Sequence, residues 1–77
     1  MSQNENSQVI SNLEYDLLTA LQNKADALKA YDTYIQDAQA KQSQPCVELF
    51  QKLQREDRQH AQEIRHHLQE VMQKGKM

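Results

Sequence analysis

The sequence predicts an all-α fold, an antiparallel hairpin of two long helices. Three observations carry this. The 77 residues include one glycine and one proline, and aromatic residues make up only 5 %, which leaves little material for turns and strands. Two uninterrupted stretches of helix-forming residues flank a single break at Gln42-Ser43-Gln44-Pro45. Within both stretches apolar residues recur at alternating spacings of three and four, the period of one helix face.

Residues 1–10, MSQNENSQVI, are polar up to Val9 and Ile10 and read as a flexible N-terminal arm. Residues 11–75 form the hairpin: helix 1 over about 12–42, a turn at 43–44, and helix 2 over about 45–74. Ser11-Asn12-Leu13-Glu14 has the form of a capping box, in which the Ser11 hydroxyl accepts from the Glu14 amide and the Glu14 carboxylate accepts from the Ser11 amide. Ile10 and Tyr15 fall where a hydrophobic staple belongs. Pro45 drives Gln44 out of the α region yet suits the first turn of a new helix, with Ser43 or Gln44 as its cap. Gly75 supplies the C-terminal stop.

The periodicity sets the packing. In helix 1 the stripe reads Glu14, Leu17, Leu21, Lys24, Leu28, Tyr31, Ile35, Ala38, widened by Leu18 and Ala25. In helix 2 it reads Cys46, Phe50, Leu53, Asp57, His60, Ile64, His67, Val71, widened by Leu49, Ala61 and Leu68. Leu21, Leu28, Phe50, Leu53 and Ile64 are expected to be the most buried. A short connection makes the pair antiparallel, but two helices leave each apolar stripe half wet. The economical solution is a homodimer, two hairpins face to face as a four-helix bundle with two-fold symmetry.

Composition narrows the function classes. Nine basic against eleven acidic residues, a net charge of -2, give no nucleic-acid footprint. Apolar runs never exceed two residues, too short for a membrane span or a signal-peptide core. Cys46 is the single cysteine and suits a reducing, cytoplasmic setting. It sits in the first turn of helix 2, where a thiol can be activated, but with no histidine close in sequence it reads as a small buried hydrophobe. No nucleophile–base pairing or phosphate loop appears, so no enzyme is expected. Residues 1–45 carry 3 basic and 6 acidic groups and residues 46–77 carry 6 and 5, which favours contact between the two helices without specifying an outside partner.

Lys24, Asp57 and His60 interrupt the apolar seams. Counting across a turn near Ser43 and Gln44, residue i faces about 87 − i, which brings Asp57 near Ala30 and His60 near Ala27. A lysine stem can cover the remaining offset from Lys24. The three are expected to form a polar core network, because a buried charge without a partner is costly. Asp57 and His60 are also three apart on one helix face, the spacing of a metal-ligand pair.

The run Leu53-Gln54-Arg55-Glu56-Asp57-Arg58-Gln59-His60-Ala61-Gln62-Glu63-Ile64 resembles the acidic-x-x-His helix of ferritin-like and rubrerythrin-like proteins. Leu21-Gln22-Asn23-Lys24-Ala25-Asp26-Ala27-Leu28-Lys29-Ala30-Tyr31 resembles the small bacterial spore coat F-type branch, with a Lys in the first helix and a Tyr downstream. The resemblance covers roughly residues 13–72. It implies a ferritin-like four-helix bundle with a di-metal centre, built from one Glu on each of two helices and a Glu-x-x-His on each of the others. Here Asp57 replaces the Glu of helix 2. The position seven before Tyr31 is Lys24 and that seven before Tyr34 is Ala27, where the family has a Glu. Two Lys24 and two Asp57 per dimer cancel, so the site balances without metal.

The resemblance therefore implies a structural or assembly protein with a lost metal centre, acting with other assembly proteins in a coat-like structure. The alternative is a protein that binds iron or another divalent metal through Asp57 and His60. A third reading is a small regulatory binder that offers a helical face to another protein. Glu56, His60, Glu63 and His67, with His66 adjoining, form a separate stripe along helix 2. It could hold Zn²⁺ or Ni²⁺ or respond to pH, but one helix supplies too few ligands, and a solvated, salt-bridged face with His67 tucked at the bundle end is the expected reading.

Overall fold

The computed structural model describes residues 9–75 and consists of two packed helices, α1 from Asn12 to Ala40 and α2 from Gln44 to Lys74. Of the expected N-terminal arm, residues 1–8 lie outside the described residues. The capping box at the start of α1 forms as the sequence requires. Glu14 N donates to Ser11 Oγ at 3.1 Å, and Ser11 N donates to Glu14 Oε1 at 2.8 Å. Ile10 and Tyr15 border one hollow beside this cap.

The first helix stops two residues earlier than its sequence pattern suggests. Gln42 takes a left-handed conformation at φ 57, Gln42 N donates to Gln39 O at 2.9 Å, and Ser43 N donates to Ala38 O at 2.9 Å. These two bonds form a Schellman closure, which satisfies the last carbonyls of α1 with a glutamine where glycine is usual. Ser43 then caps α2 through its backbone alone, its carbonyl accepting from Cys46 N and Val47 N. The turn is therefore 41–43 rather than 43–44, and α2 begins one residue before Pro45. At the far end Gly75 adopts φ 79 and its amide donates to Val71 O at 2.7 Å, the expected stop.

The inward stripe of α1 is the expected one, with Glu14, Leu17, Leu21, Lys24, Leu28, Tyr31 and Ile35 half-buried and Ala38 buried. Leu18 and Ala25, expected to widen it, are exposed. The stripe of α2 is corrected at three levels. Phe50, Asp57, Ile64 and Val71 point inward as expected, and so do Ala61 and Leu68, expected to widen the stripe, but Cys46, His60 and His67 are exposed, with Val47 buried beside Cys46, and Leu49, expected to widen the stripe, is exposed. At these alternate levels Val47, Ala61 and Leu68 bury aliphatic carbon, which avoids the desolvation that a thiol and two imidazoles would require. Gln54 shares its level with Leu53 and donates to Asp32 Oδ1 at 3.1 Å.

Full burial is scarce. Among the described residues only Ala38, Val47, Leu68 and Val71 are buried, and the five residues expected deepest are half-buried. The cause is thickness. The hairpin measures 54 × 20 × 14 Å, so it is one helix deep and leaves two broad faces open. Helical geometry sorts the positions beside the stripe onto these faces. One face has Leu13, Ala20, Ala27 and Tyr34 from α1 with Cys46, Leu53, His60 and His67 from α2, ending at Lys74. The other has Leu18, Ala25, Asp32 and Gln39 with Gln51, Arg58, Arg65 and Met72.

A left-handed glutamine carries a steric cost of about 1–2 kcal/mol that glycine avoids. Gln42→Gly is therefore expected to raise the unfolding free energy by about 0.5–1 kcal/mol, part of the gain being offset by the freer unfolded chain. A higher urea midpoint at unchanged slope is the readout.

Candidate functional site: a carboxylate shared between two helices

Midway along the hairpin, the Asp57 carboxylate of α2 meets two successive polar positions of the α1 stripe. Lys24 and Tyr31 are seven residues apart, roughly 10 Å along the helix axis, and Asp57 lies between them. Lys24 Nζ donates to Oδ1 at 3.1 Å, and the Tyr31 hydroxyl donates to Oδ2 at 3.1 Å. His60 Nδ1 stands 3.5 Å from Oδ1, at the outer limit of a hydrogen bond. Each carboxylate oxygen is thus engaged by a donor from the opposite helix.

The electrostatics follow from this geometry. The Asp57 side chain is 16 % exposed and that of Lys24 is 35 % exposed, so the pair is only partly desolvated. The bond from Lys24 holds the Asp57 carboxyl below its ordinary range, and Tyr31 and His60 assist, against partial burial acting the other way. Burial raises the Tyr31 phenol above its ordinary value, and its bond to the Asp57 carboxylate and that group's charge raise it further. Aromatic packing fixes the Tyr31 ring. It lies edge-on to Tyr34 at 5.8 Å and tilted against Phe50 at 6.4 Å, with Tyr34 and Phe50 5.5 Å apart.

Of the three residues expected in a polar network, Lys24 and Asp57 are joined directly. His60 is the outlier, its side chain 55 % exposed at the rim. Sequence reasoning set Tyr31 in the apolar stripe of helix 1 and gave it no polar role. Its position seven after Lys24 on the same stripe was the available signal. The stripe Glu56, Glu63 and His67 is exposed. Glu63 and His67 line a shallow hollow with Gln59, Gln62 and His66, and the rings of His66 and His67 are 5.8 Å apart. Cys46, expected buried, is exposed.

The donor set does not fit a di-metal centre. Lys24 stands where a helix-1 carboxylate would be needed, and its ammonium is bonded to the acidic ligand expected of helix 2. Among the described residues no three of His, Cys, Asp and Glu come together to hold a metal ion. What the arrangement can do chemically is neutralise its own charge and tie α1 to α2 at mid-length.

The linkage has a definite sign. Asp57 has a depressed pKa in the fold, so its contribution is present above the unfolded value of about 3.9 and is lost as pH falls through the folded value. Tyr31 is raised, so its contribution is present below pH 10.0 and is lost as pH rises through the folded value. Thermal midpoints are expected to fall at both extremes, with Asp57→Asn flattening the acid arm and Tyr31→Phe the alkaline arm. Lys24→Met is expected to cost about 1–3 kcal/mol, less than the 3–5 of a fully buried pair, because solvent still reaches both partners.

Comparison of the chain with protein-family models, curated proteins and solved structures finds no match, so the site is read from its geometry alone.

Proposed function

We propose that this chain is a non-catalytic structural or assembly protein that works as a homodimer, a ferritin-like four-helix bundle whose metal centre has been replaced by an internal ion pair. The observation that carries the reading is the 3.1 Å bond between Lys24 Nζ and Asp57 Oδ1. In a metal-binding bundle of this type Asp57 would be a free carboxylate facing a cation. Here its two oxygens are occupied by Lys24 and Tyr31, which leaves it poorly suited to act as a ligand or as a base. A cation brought to this level also meets the Lys24 ammonium, with a repulsion of about 4 kcal/mol per unit charge at 4 Å and an effective dielectric of 20.

The dimer half of the reading rests on thickness. A slab 14 Å deep with Leu13, Tyr34 and Leu49 each nearly half exposed has apolar surface that a second layer would cover. Assembly is then the function that the geometry serves: the hairpin is half of a bundle.

Sedimentation at micromolar concentration is expected to give about twice the 9.0 kDa chain mass. Protein purified without a histidine tag and loaded with Fe²⁺ is expected to hold little metal, whereas Lys24→Glu, which supplies the missing carboxylate, should gain stoichiometric Fe²⁺ or Mn²⁺. Two metals per dimer in the natural protein would replace this reading with the metal-binding one.

A further inference from the structure

We infer that the broad face carrying Arg58 and Arg65 is a docking groove for an acidic amphipathic helix of another protein. This docking rests on the assembly reading above and gives it a partner's chemistry and the surface that receives it.

The groove follows from the order of side chains along the open half of the hairpin. Arg58 and Arg65 stand one heptad apart on α2, about 10 Å along its axis, and both are exposed. Between them Ala61, with Ala25 across the seam on α1, keeps the floor low and apolar. Beyond Ala61 the floor deepens into a hollow lined by Leu21, Arg65, Leu68, Gln69 and Met72. Two large apolar side chains stand open on the same half, Leu18 at 43 % and Met72 at 64 % exposure. The surface is a trough between two helices, apolar along its bottom and cationic along the α2 wall. That is the form that takes the apolar side of a third helix.

Charge decides the occupant. Among the described residues neither arginine has a carboxylate at ion-pair distance, and Lys29, on the α1 side of the same face, has none either. The neighbouring acids are turned elsewhere. Asp32 accepts from Gln54 at 3.1 Å nearer the turn, Glu14 closes the Ser11 cap at the open end, and Asp26 lies around the outer edge of α1. Two guanidiniums at heptad spacing match two carboxylates at the same spacing on a facing helix, with one apolar residue between them over the alanine floor and another beyond for the hollow. A second copy fits less well. A two-fold contact through this face sets a cationic surface against an identical one. The chain's own acids of that spacing on α2, Glu56 and Glu63, flank His60 rather than an apolar residue.

The probe is a stapled helical peptide with two glutamates one heptad apart and leucines between and beyond them. A matched peptide has glutamine at both acidic positions, and each is titrated with the full chain by fluorescence anisotropy. The glutamate peptide is expected to bind about tenfold more tightly than the glutamine one, a difference that shrinks as salt rises. The difference should vanish in Arg58→Gln/Arg65→Gln and persist in Glu56→Gln/Glu63→Gln on the opposite face, with circular dichroism showing both variants folded. Equal binding of the two peptides, unchanged discrimination by the arginine variant, or no binding at all overturns the inference and leaves the dimer standing. If the arginine variant sediments as a monomer while the natural chain is a dimer, a second copy occupies this face, and the inference is again overturned. A monomeric natural chain removes the dimer alone, and the peptide pair still decides the groove.

Discussion

The hairpin is organised around one carboxylate. Asp57 interrupts an otherwise apolar stretch of α2, and Lys24 and Tyr31 interrupt the facing stretch of α1, so each helix carries a local defect in its hydrophobic seam. Separately the defects are costly, since an unpaired charge or phenol in the seam loses hydration without recompense. Together they cancel: the carboxylate accepts from Lys24 on one oxygen and Tyr31 on the other. A slip of one heptad in either direction would keep the apolar stripes in register yet separate Asp57 from one of its two donors. The unit thus makes one alignment of the helices better than its nearest alternatives.

Thickness limits what that alignment can achieve alone. In a single layer of two helices every core position keeps one side near solvent, which is why the leucines at mid-length are half-buried while the buried residues cluster toward the two ends. Near the turn, the Schellman closure brings the chain back over Ala38 and Val47. At the open end, Leu68 and Val71 lie on the last turns of α2. Partial exposure also tempers the polar unit, because a pair reached by water contributes less than a sealed one and is less damaging when broken.

Much of this was legible in the sequence, and the exceptions have specific causes. Ser11 with Glu14 and Gly75 are strong boundary signals because each satisfies backbone groups in a way few other residues can. Gln42 gives no comparable signal, since glutamine has no special tolerance for positive φ and the tertiary closure imposes it. On α2 two stripes compete, both containing Phe50, Asp57, Ile64 and Val71, and they differ only at alternate levels. Spacing cannot separate them. Desolvation does, because Val47, Ala61 and Leu68 bury at less cost than Cys46, His60 and His67. At the site, counting across the turn sets Tyr31 opposite residue 56, beside Asp57, and Lys24 opposite residue 63; the phenol went unused in that reading because a tyrosine within an apolar stripe reads as packing, and its ring does lean on Tyr34 and Phe50.

The short turn already restricts how α1 and α2 align, so the polar unit reinforces a register that the chain connection also favours. An apolar residue at 57 facing leucine and phenylalanine would pack the seam at similar or greater stability. What the unit changes is the open face. A purely apolar slab could be covered by any helix with an apolar stripe, in any register and either direction. A slab with a lysine ammonium and a carboxylate at mid-length accepts only a covering surface that leaves their bond intact and satisfies or hydrates the remaining Lys24 donors. The defect therefore trades a little seam stability for a restriction on what can be laid over it. A restriction of this kind suits the homodimer proposed above.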